Sequence, residues 1–315
     1  RELDWTGVTV TAGAKQSLFN AIFCLFGPGD EVLVAGPYWT SYPALVEIAR
    51  AEPVTVMGDP DDDFKVTPAI LEERRTEGTR GLILNTPCNP TGAVYSLDEL
   101  QALAEWARDR GVWLLCDEIY GNIYHGDDRE VAPGILDLPV KSLGDWVLID
   151  GASKSYAMTG WRIGFSLTSP ELAGRFSALQ SQVTSNPATP SQMAALEAFG
   201  NGEAARRSIG EMEEAFRRRR DLVEARFREL LPGLDFVRPR GAFYLFFRVD
   251  SLFHGEIRDA TTWCNRMLEE VGVALVPGAA FGDDRWVRMS YASSDETLEE
   301  AIRRLAEAVK REPVG

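Results

Sequence analysis

Trp146-Val-Leu-Ile-Asp150-Gly-Ala-Ser-Lys154-Ser-Tyr-Ala-Met-Thr-Gly-Trp-Arg162-Ile-Gly-Phe-Ser-Leu167 sets two short β-rich apolar runs on either side of a loop of small residues. The runs Trp146 to Asp150 and Ile163 to Leu167 read as strands. The loop between them carries Lys154, eight positions before Arg162. A lysine that forms a Schiff base must reach a carbonyl in a crowded site and lose its proton readily, which a flexible ammonium permits and a guanidinium does not. Gly151, Ala152 and Ser153 let a ligand come close, and the planar fork of Arg162 suits a phosphate.

Outward from this stretch, the same alternation of short apolar runs and longer helical patterns fills the first two thirds of the chain. Further strands are expected at Glu31 to Ala35, Val54 to Met57, Gly81 to Asn85 and Val112 to Asp117. Helices are expected at Lys15 to Phe26 and Ser41 to Ala51. Ser96-Leu-Asp-Glu99 is a capping box opening a helix that runs to about Arg110. Thr67-Pro68 and Ser169-Pro170 pair an N-cap with a first-turn proline. The pattern predicts an α/β fold, a mainly parallel sheet sandwiched by helices. From Glu203 to Leu231 it becomes one long helix. Beyond that helix lie expected strands at Phe236 to Val237, Ala242 to Arg248, Val273 to Val276 and Trp286 to Ser290, with helices at Asp259 to Gly272 and Asp295 to Arg311. This is a smaller C-terminal α+β domain, so the expected division is 1–205 and 206–315. In the long helix, Glu213 and Glu214 precede Arg217 and Arg218 by one turn, which makes Arg217 to Arg220 a solvated, salt-bridged face.

With 315 residues and 45% apolar content the chain can bury a large core. Its formal net charge of -15, from 48 acidic and 33 basic residues, opposes phosphate backbones and anionic lipid, so neither nucleic acid nor membrane is an expected partner. No apolar run is long enough to cross a bilayer, and Arg1-Glu-Leu-Asp-Trp5 has none of the character of a signal peptide, so the expected location is cytoplasmic. Cys24, Cys88, Cys116 and Cys264 are widely spaced and form no C-x-x-C pair, which suggests reduced thiols, with Cys116 in the core. His125 and His254 lie far apart with no metal-ligand spacing around them, so both are expected to be surface or structural and no metal is expected. The glycine patterns of dinucleotide and P-loop sites are absent.

Ligands of open α/β sheets bind beyond the carboxyl ends of the strands, and this chain places polar residues there repeatedly. Gly81 to Asn85 runs into Thr86-Pro-Cys-Asn89-Pro-Thr-Gly92, where Asn89 offers an amide. Val112 to Cys116 ends at Asp117-Glu-Ile-Tyr120, a carboxylate and a phenol. Thr11-Ala-Gly13-Ala-Lys15 precedes a helix whose free N–H groups favour an anion. Taken singly these are a turn residue, a helix cap, a packing ring and a loop glycine. Together they form an anion cradle, an amine nucleophile, a carboxylate and hydrogen-bond donors, the set that pyridoxal phosphate needs.

The ordered series Gly13-Ala-Lys15-Gln, Pro37-Tyr-Trp39, Asn89-Pro-Thr-Gly, Asp117-Glu-Ile-Tyr120, Ser153-Lys154, Met158-Thr-Gly-Trp-Arg162-Ile-Gly, Gly241-Ala-Phe-Tyr244 and Val287-Arg288-Met-Ser-Tyr resembles the class I/II aminotransferases of the aspartate aminotransferase superfamily, pyridoxal-phosphate fold type I, nearly from end to end. The resemblance implies a ping-pong transamination between an L-amino acid and a 2-oxo acid, in a homodimer. It implies that Lys154 links to the cofactor and then carries the proton as general acid and base, that Asp117 pairs with the pyridine nitrogen, and that Asn89 and Tyr120 bond the ring oxygen. Trp39 would stack on the ring. Gly13, Ala14, Lys15, Ser153 and Arg162 would hold the phosphate. Arg288, with Trp39 and Asn89, would bind the substrate and its α-carboxylate. Relatives carry several tens of residues ahead of the position of Thr9, among them a tyrosine reaching the neighbouring subunit's phosphate, and this sequence begins at Arg1. Gly151 stands where many relatives have a hydroxyl, which removes a phosphate donor. Phe23 stands where dicarboxylate-accepting relatives often have a lysine, which favours neutral or aromatic substrates. A β-lyase or oxidase outcome on the same cofactor, and a non-catalytic sensing domain, are the alternatives.

Overall fold

The computed structural model describes residues 4–311, so the first three residues of the polar start lie outside it. In chain order its elements are β1 (Val8–Thr11), α1 (Ala14–Leu25), β2 (Glu31–Gly36), α2 (Ser41–Ile48), β3 (Glu52–Met57), α3 (Pro68–Arg74), β4 (Thr79–Asn85), α4 (Leu97–Arg110), β5 (Trp113–Asp117), β6 (Trp146–Gly151), β7 (Gly164–Leu167), α5 (Pro170–Val183), α6 (Thr189–Gly200) and α7 (Gly202–Leu230). Then come β8 (Phe236–Val237), β9 (Tyr244–Arg248), α8 (Ala260–Val271), β10 (Val276–Pro277), β11 (Trp286–Ser290) and α9 (Asp295–Arg311).

The first seven strands form one sheet in the order β1-β7-β6-β5-β4-β2-β3. From β3 across to β6 every neighbour is parallel, and β7 and β1 close that edge antiparallel. Alternation along each strand sends Leu33, Leu82, Leu84, Leu114, Cys116 and Leu148 to one face, against α4. Val32, Val34, Ile83, Leu115, Val147 and Ile149 go to the other, against α1, α2 and α5. A parallel strand covered on both faces needs apolar residues at every position, which is why these segments read as continuous apolar runs.

The remaining strands form an antiparallel sheet, β10-β11-β9-β8. Helices α7, α8 and α9 cover one face of it through Phe227, Trp263 and Leu305, packed on Leu245, Phe247 and Val287. Ile119, Tyr120 and Ile123, which follow β5, join that same core. On the opposite face Phe246 stacks on Trp286 at 5.2 Å, and Phe64 from the large-sheet half meets Trp286 edge-on at 5.0 Å.

Several local expectations change. The α2 helix ends at Ile48 because Arg50 takes a left-handed φ of 64° and turns the chain into β3. Ala242, with φ 57°, breaks extended backbone, so β9 starts at Tyr244. Val112 donates back to Ala107 O as part of the α4 cap, and β5 starts one residue later. The left-handed cap Gly272 shortens the next strand to Val276–Pro277. Strand β1 and helix α6 were not anticipated. Arg217 does pair with Glu213 at 3.2 Å, but Arg218 and Arg219 reach Asp295, and Arg220 is buried beside His125 O. The arginine run thus ties α7 to its neighbours instead of facing solvent throughout. His125 is buried and structural, with Nε2 3.0 Å from Ala242 O and 3.1 Å from Tyr291 Oη.

Candidate active site

Beyond the carboxyl ends of β4, β5 and β6 lies a cavity of about 400 Å³. Its wall contains Ala14, Lys15, Trp39, Asn89, Asp117, Tyr120, Ser153, Lys154, Arg162 and Arg288, all of them anticipated from sequence. Tyr42, Asn85, Ile119, Thr159 and Tyr244 complete it.

Asp117, the last residue of β5, is buried. Its Oδ2 accepts from the Tyr42 hydroxyl at 2.7 Å and its Oδ1 from the Ile119 N–H at 3.2 Å. Burial pushes its pKa up to about 6, while Tyr42, the Ile119 N–H and Lys154 pull it back down. Asn85 ends β4 and connects two walls: its Nδ2 donates to Asp117 O at 2.8 Å, and its Oδ1 accepts from Asn89 N at 2.8 Å. Tyr120 Oη is 3.0 Å from Tyr244 Oη on β9, and burial, then that tyrosine, hold its proton well above the usual phenol range.

The Lys154 loop leaves β6 and folds back on itself, Tyr156 and Met158 N–H both donating to Ala152 O at 3.3 Å. Lys154 Nζ lies 5.9 Å from the Tyr120 ring and 5.7 Å from that of Phe243. Burial lowers its pKa first, Arg162 and Arg288 lower it further, and Asp117 opposes them. An amine so placed is more readily neutral, as a nucleophile must be.

Helix α1 begins at Ala14 with no side-chain cap, which leaves its first N–H groups for an anion. Gly13 has φ 87° and ψ 158°, a conformation essentially closed to other residues. A Cβ there would sit 2.3 Å from Arg162 Nη2, so the glycine allows the guanidinium to lie on the helix start. Gly164 on β7 makes the same close approach from below, its hypothetical Cβ 2.3 Å from Ala14 N. Lys15 Nζ stands 4.9 Å over the Trp39 ring. Replacing Gly13 with alanine is expected to weaken cofactor binding about tenfold, the cost of a strained backbone and a displaced Arg162. Titrating the apoprotein with pyridoxal phosphate and following its intrinsic fluorescence checks this; unchanged affinity would separate Gly13 from the anion site.

Arg288 comes from the second sheet, on β11. Its Nη1 donates to Asn89 Oδ1 at 2.7 Å, and its guanidinium carbon lies 4.3 Å from the Tyr244 ring and 4.9 Å from that of Phe281. Its Nε is buried with no hydrogen-bond partner among the described residues.

Two expectations look different here. Phe23 is on α1 but 46% exposed, its ring tilted against that of Phe19 at 5.4 Å, and is not in the cavity wall. Gly151 lies where β6 crowds β7: a Cβ would be 2.7 Å from Gly164 Cα, so a side chain is excluded by strand packing. Tyr42 and Tyr244 were not assigned to the site, although Tyr42 follows Trp39 by one helical turn and Tyr244 ends a motif already noted.

The donor set fits pyridoxal phosphate: an uncapped helix start with an arginine laid over it, an amine of lowered pKa, and a buried carboxylate bonded on each oxygen yet facing the cavity. A lysine, a carboxylate and an anion cradle converging at the strand ends of this sheet define a pyridoxal-phosphate enzyme of fold type I. Comparison with known proteins narrows the class. The family model for aminotransferase class I and II matches residues 3–305. An aspartate aminotransferase of Streptomyces avermitilis is 39% identical over 310 residues, covering 96% of this chain and 74% of its own length. The crystal structure of the aspartate aminotransferase from Rhizobium meliloti superposes with a TM-score of 0.90 at 39% identity, covering 99% of this chain and 78% of that one. That of an aromatic aminotransferase from Pyrococcus horikoshii OT3 gives 0.91 at 34% identity, covering 98% and 81%. The chain belongs to the class I and II aminotransferase family: it is an enzyme, its cofactor is pyridoxal phosphate, and its chemistry is amino-group transfer between amino acids and 2-oxo acids.

Proposed function

We propose that this aminotransferase acts on amino acids with neutral or aromatic side chains, with Lys154 as its catalytic lysine. The observation that carries the catalytic part is the convergence on one cavity of Lys154, Asp117 and Arg288 from two different sheets. Bound pyridoxal phosphate supplies an electron sink conjugated to the substrate α-carbon. Lys154 would move the proton from the substrate α-carbon, acting as base and then acid. Asp117 would favour the protonated form of the pyridine nitrogen. Asn89 and Tyr120 would bond the ring oxygen, Trp39 would pack on the ring, and the start of α1 with Ser153 and Arg162 would hold the phosphate. Arg288 grips the α-carboxylate with its planar fork.

The substrate class follows from the charges left over. Among the described residues the cations in the cavity wall are Lys15, Lys154, Arg162 and Arg288, and each has a role in this reading. None remains for a second carboxylate, while Trp39, Tyr42, Tyr120 and Tyr244 offer aromatic surface. The names of the Streptomyces and Rhizobium relatives favour aspartate instead, and a panel of donors decides. With 2-oxoglutarate as acceptor, phenylalanine, tyrosine or leucine is expected to exceed aspartate in kcat/KM by at least about tenfold. A preference for aspartate would overturn the substrate class. Ammonia released without an acceptor would mark a β-lyase or oxidase outcome.

We further infer a homodimer: Trp161, Met193, Leu196 and Phe199 are all more than 40% exposed, on α6 and the loop beyond Lys154, and suit an interface. The division into 1–205 and 206–315 is supported by the two separate sheets. Among the described residues no helix is long and apolar enough to cross a membrane. A cytoplasmic location accords with four free cysteines.

A further inference from the structure

Tyr42 has no part in the reaction as set out so far, yet its side chain is 1% exposed and its hydroxyl is spent on the one buried carboxylate of the cavity. A buried hydroxyl is costly without a partner, and a phenylalanine would pack equally well on its apolar neighbours. The oxygen therefore has a reason of its own.

The start of helix α2 brings two rings to the site, Trp39 from the loop just before the helix and Tyr42 from its first turn. Trp39 O accepts from Tyr42 N at 3.0 Å, and the rings meet edge to face at 5.5 Å and 85°. The Trp39 ring lines the cavity, and the Tyr42 hydroxyl reaches beneath it to Asp117 Oδ2 at 2.7 Å. Asp117 Oδ1 is held from another side by the Ile119 N–H at 3.2 Å. With one bond on each oxygen the carboxylate cannot rotate, and each oxygen keeps a lone pair free.

We propose that Tyr42 is a positioning residue for amino transfer: through its hydroxyl it fixes the rotation of Asp117 and so presents that carboxylate to the cofactor's ring nitrogen. This rests on the reading that Asp117 partners that nitrogen. Burial of the Tyr42 phenol, then the adjacent Asp117 charge, holds its proton far above the ordinary phenol range, so it remains a donor across the working pH range. The titratable groups that interact with Asp117 are Tyr42 from α2, Lys154 from the loop after β6, Cys88 from the loop after β4, Asp150 from the end of β6, Cys116 from its own strand, and Glu118 and Tyr120 from the loop that follows it. Lys154 is the only cation in that group, and in the reaction it turns to the substrate. Tyr42 is then the side chain that keeps opposing protonation of Asp117.

Tyr42→Phe removes one oxygen and preserves shape. In the holoenzyme it is expected to raise the cofactor dissociation constant about tenfold and to lower kcat about tenfold, with KM for the amino donor within about twofold. The acid limb of the kcat profile should move to higher pH by about one unit, because losing the donor raises the pKa of Asp117. Asp117→Asn should show larger changes in binding and kcat, and Tyr42→Phe added to it should change neither further, since both act through one carboxylate. If Tyr42→Phe lowers only thermal stability and leaves the acid limb and cofactor affinity in place, or if its effects add in full to those of Asp117→Asn, the positioning role is overturned. If Asp117→Asn itself leaves cofactor affinity and kcat unchanged, the reading of Asp117 fails, and the Tyr42 proposal with it.

Discussion

Lys154→Ala is expected to abolish amino transfer, lowering kcat by at least about four orders of magnitude, because in the proposed reading the same nitrogen is both the cofactor's covalent anchor and the proton carrier. The substitution should leave the fold intact. The loop is held by its backbone, through Ala152 O accepting from Tyr156 and Met158 and through Lys154 O accepting from Ala157 at 3.1 Å, and none of these bonds uses the lysine side chain. Removing a half-buried ammonium that feels the charges of Arg162 and Arg288 also relieves like-charge repulsion. The thermal midpoint should therefore move by no more than about 3 °C. Borohydride treatment followed by intact-mass measurement gives a readout independent of turnover. Wild type should gain the mass of one cofactor less one water plus two hydrogens, and Lys154→Ala should not. A variant that still traps the cofactor, or keeps more than a trace of activity, would move the chemistry to another amine.

Arg288→Lys is expected to cost about 100- to 1000-fold in kcat/KM for the amino donor, mostly in KM, with cofactor affinity nearly unchanged. The guanidinium is preorganised on three sides, by Asn89 Oδ1 and by the Tyr244 and Phe281 rings, and its buried Nε has no partner among the described residues. An ammonium keeps the charge but loses the fork, and it leaves Asn89 Oδ1 with an altered partner in a site where unmet polar groups are expensive. Saturation kinetics over a range of donor concentrations check this. A loss confined to kcat would assign Arg288 to the chemical step instead of to carboxylate binding.

Most of the framework was legible in the sequence for a local reason. Parallel strands covered on both faces, a capping box at Ser96 and prolines after Thr67 and Ser169 leave signals within a few residues, and each is found as expected. Strand β1 was missed because Val8–Thr11 is four residues long and its partner β7 is remote in sequence. Helix α6 was missed because Met193, Leu196 and Phe199 are exposed and Ala195 is buried, so its apolar residues mark no single face. The cavity wall was legible where a residue stands at a strand end or a helix start. It was not legible for Tyr42, whose partner is 75 residues away, because a tyrosine in the first turn of a helix looks like ordinary packing. Phe23 shows the converse: the resemblance set it where some relatives carry a lysine, and its ring is exposed and outside the cavity wall.

In the proposed reading the carboxylate grip and the reactive amine belong to different sheets, Arg288 on β11 and Lys154 after β6, with Asn89 joined to Arg288 across the gap. A bound amino acid is therefore a strut: one end bears on the antiparallel sheet, the other on the parallel one. Some of its binding free energy goes into bracing the two halves, so apparent affinity reports mechanical alignment as well as contact. Loosening the α7–α9 packing, far from any reacting atom, would then register in KM.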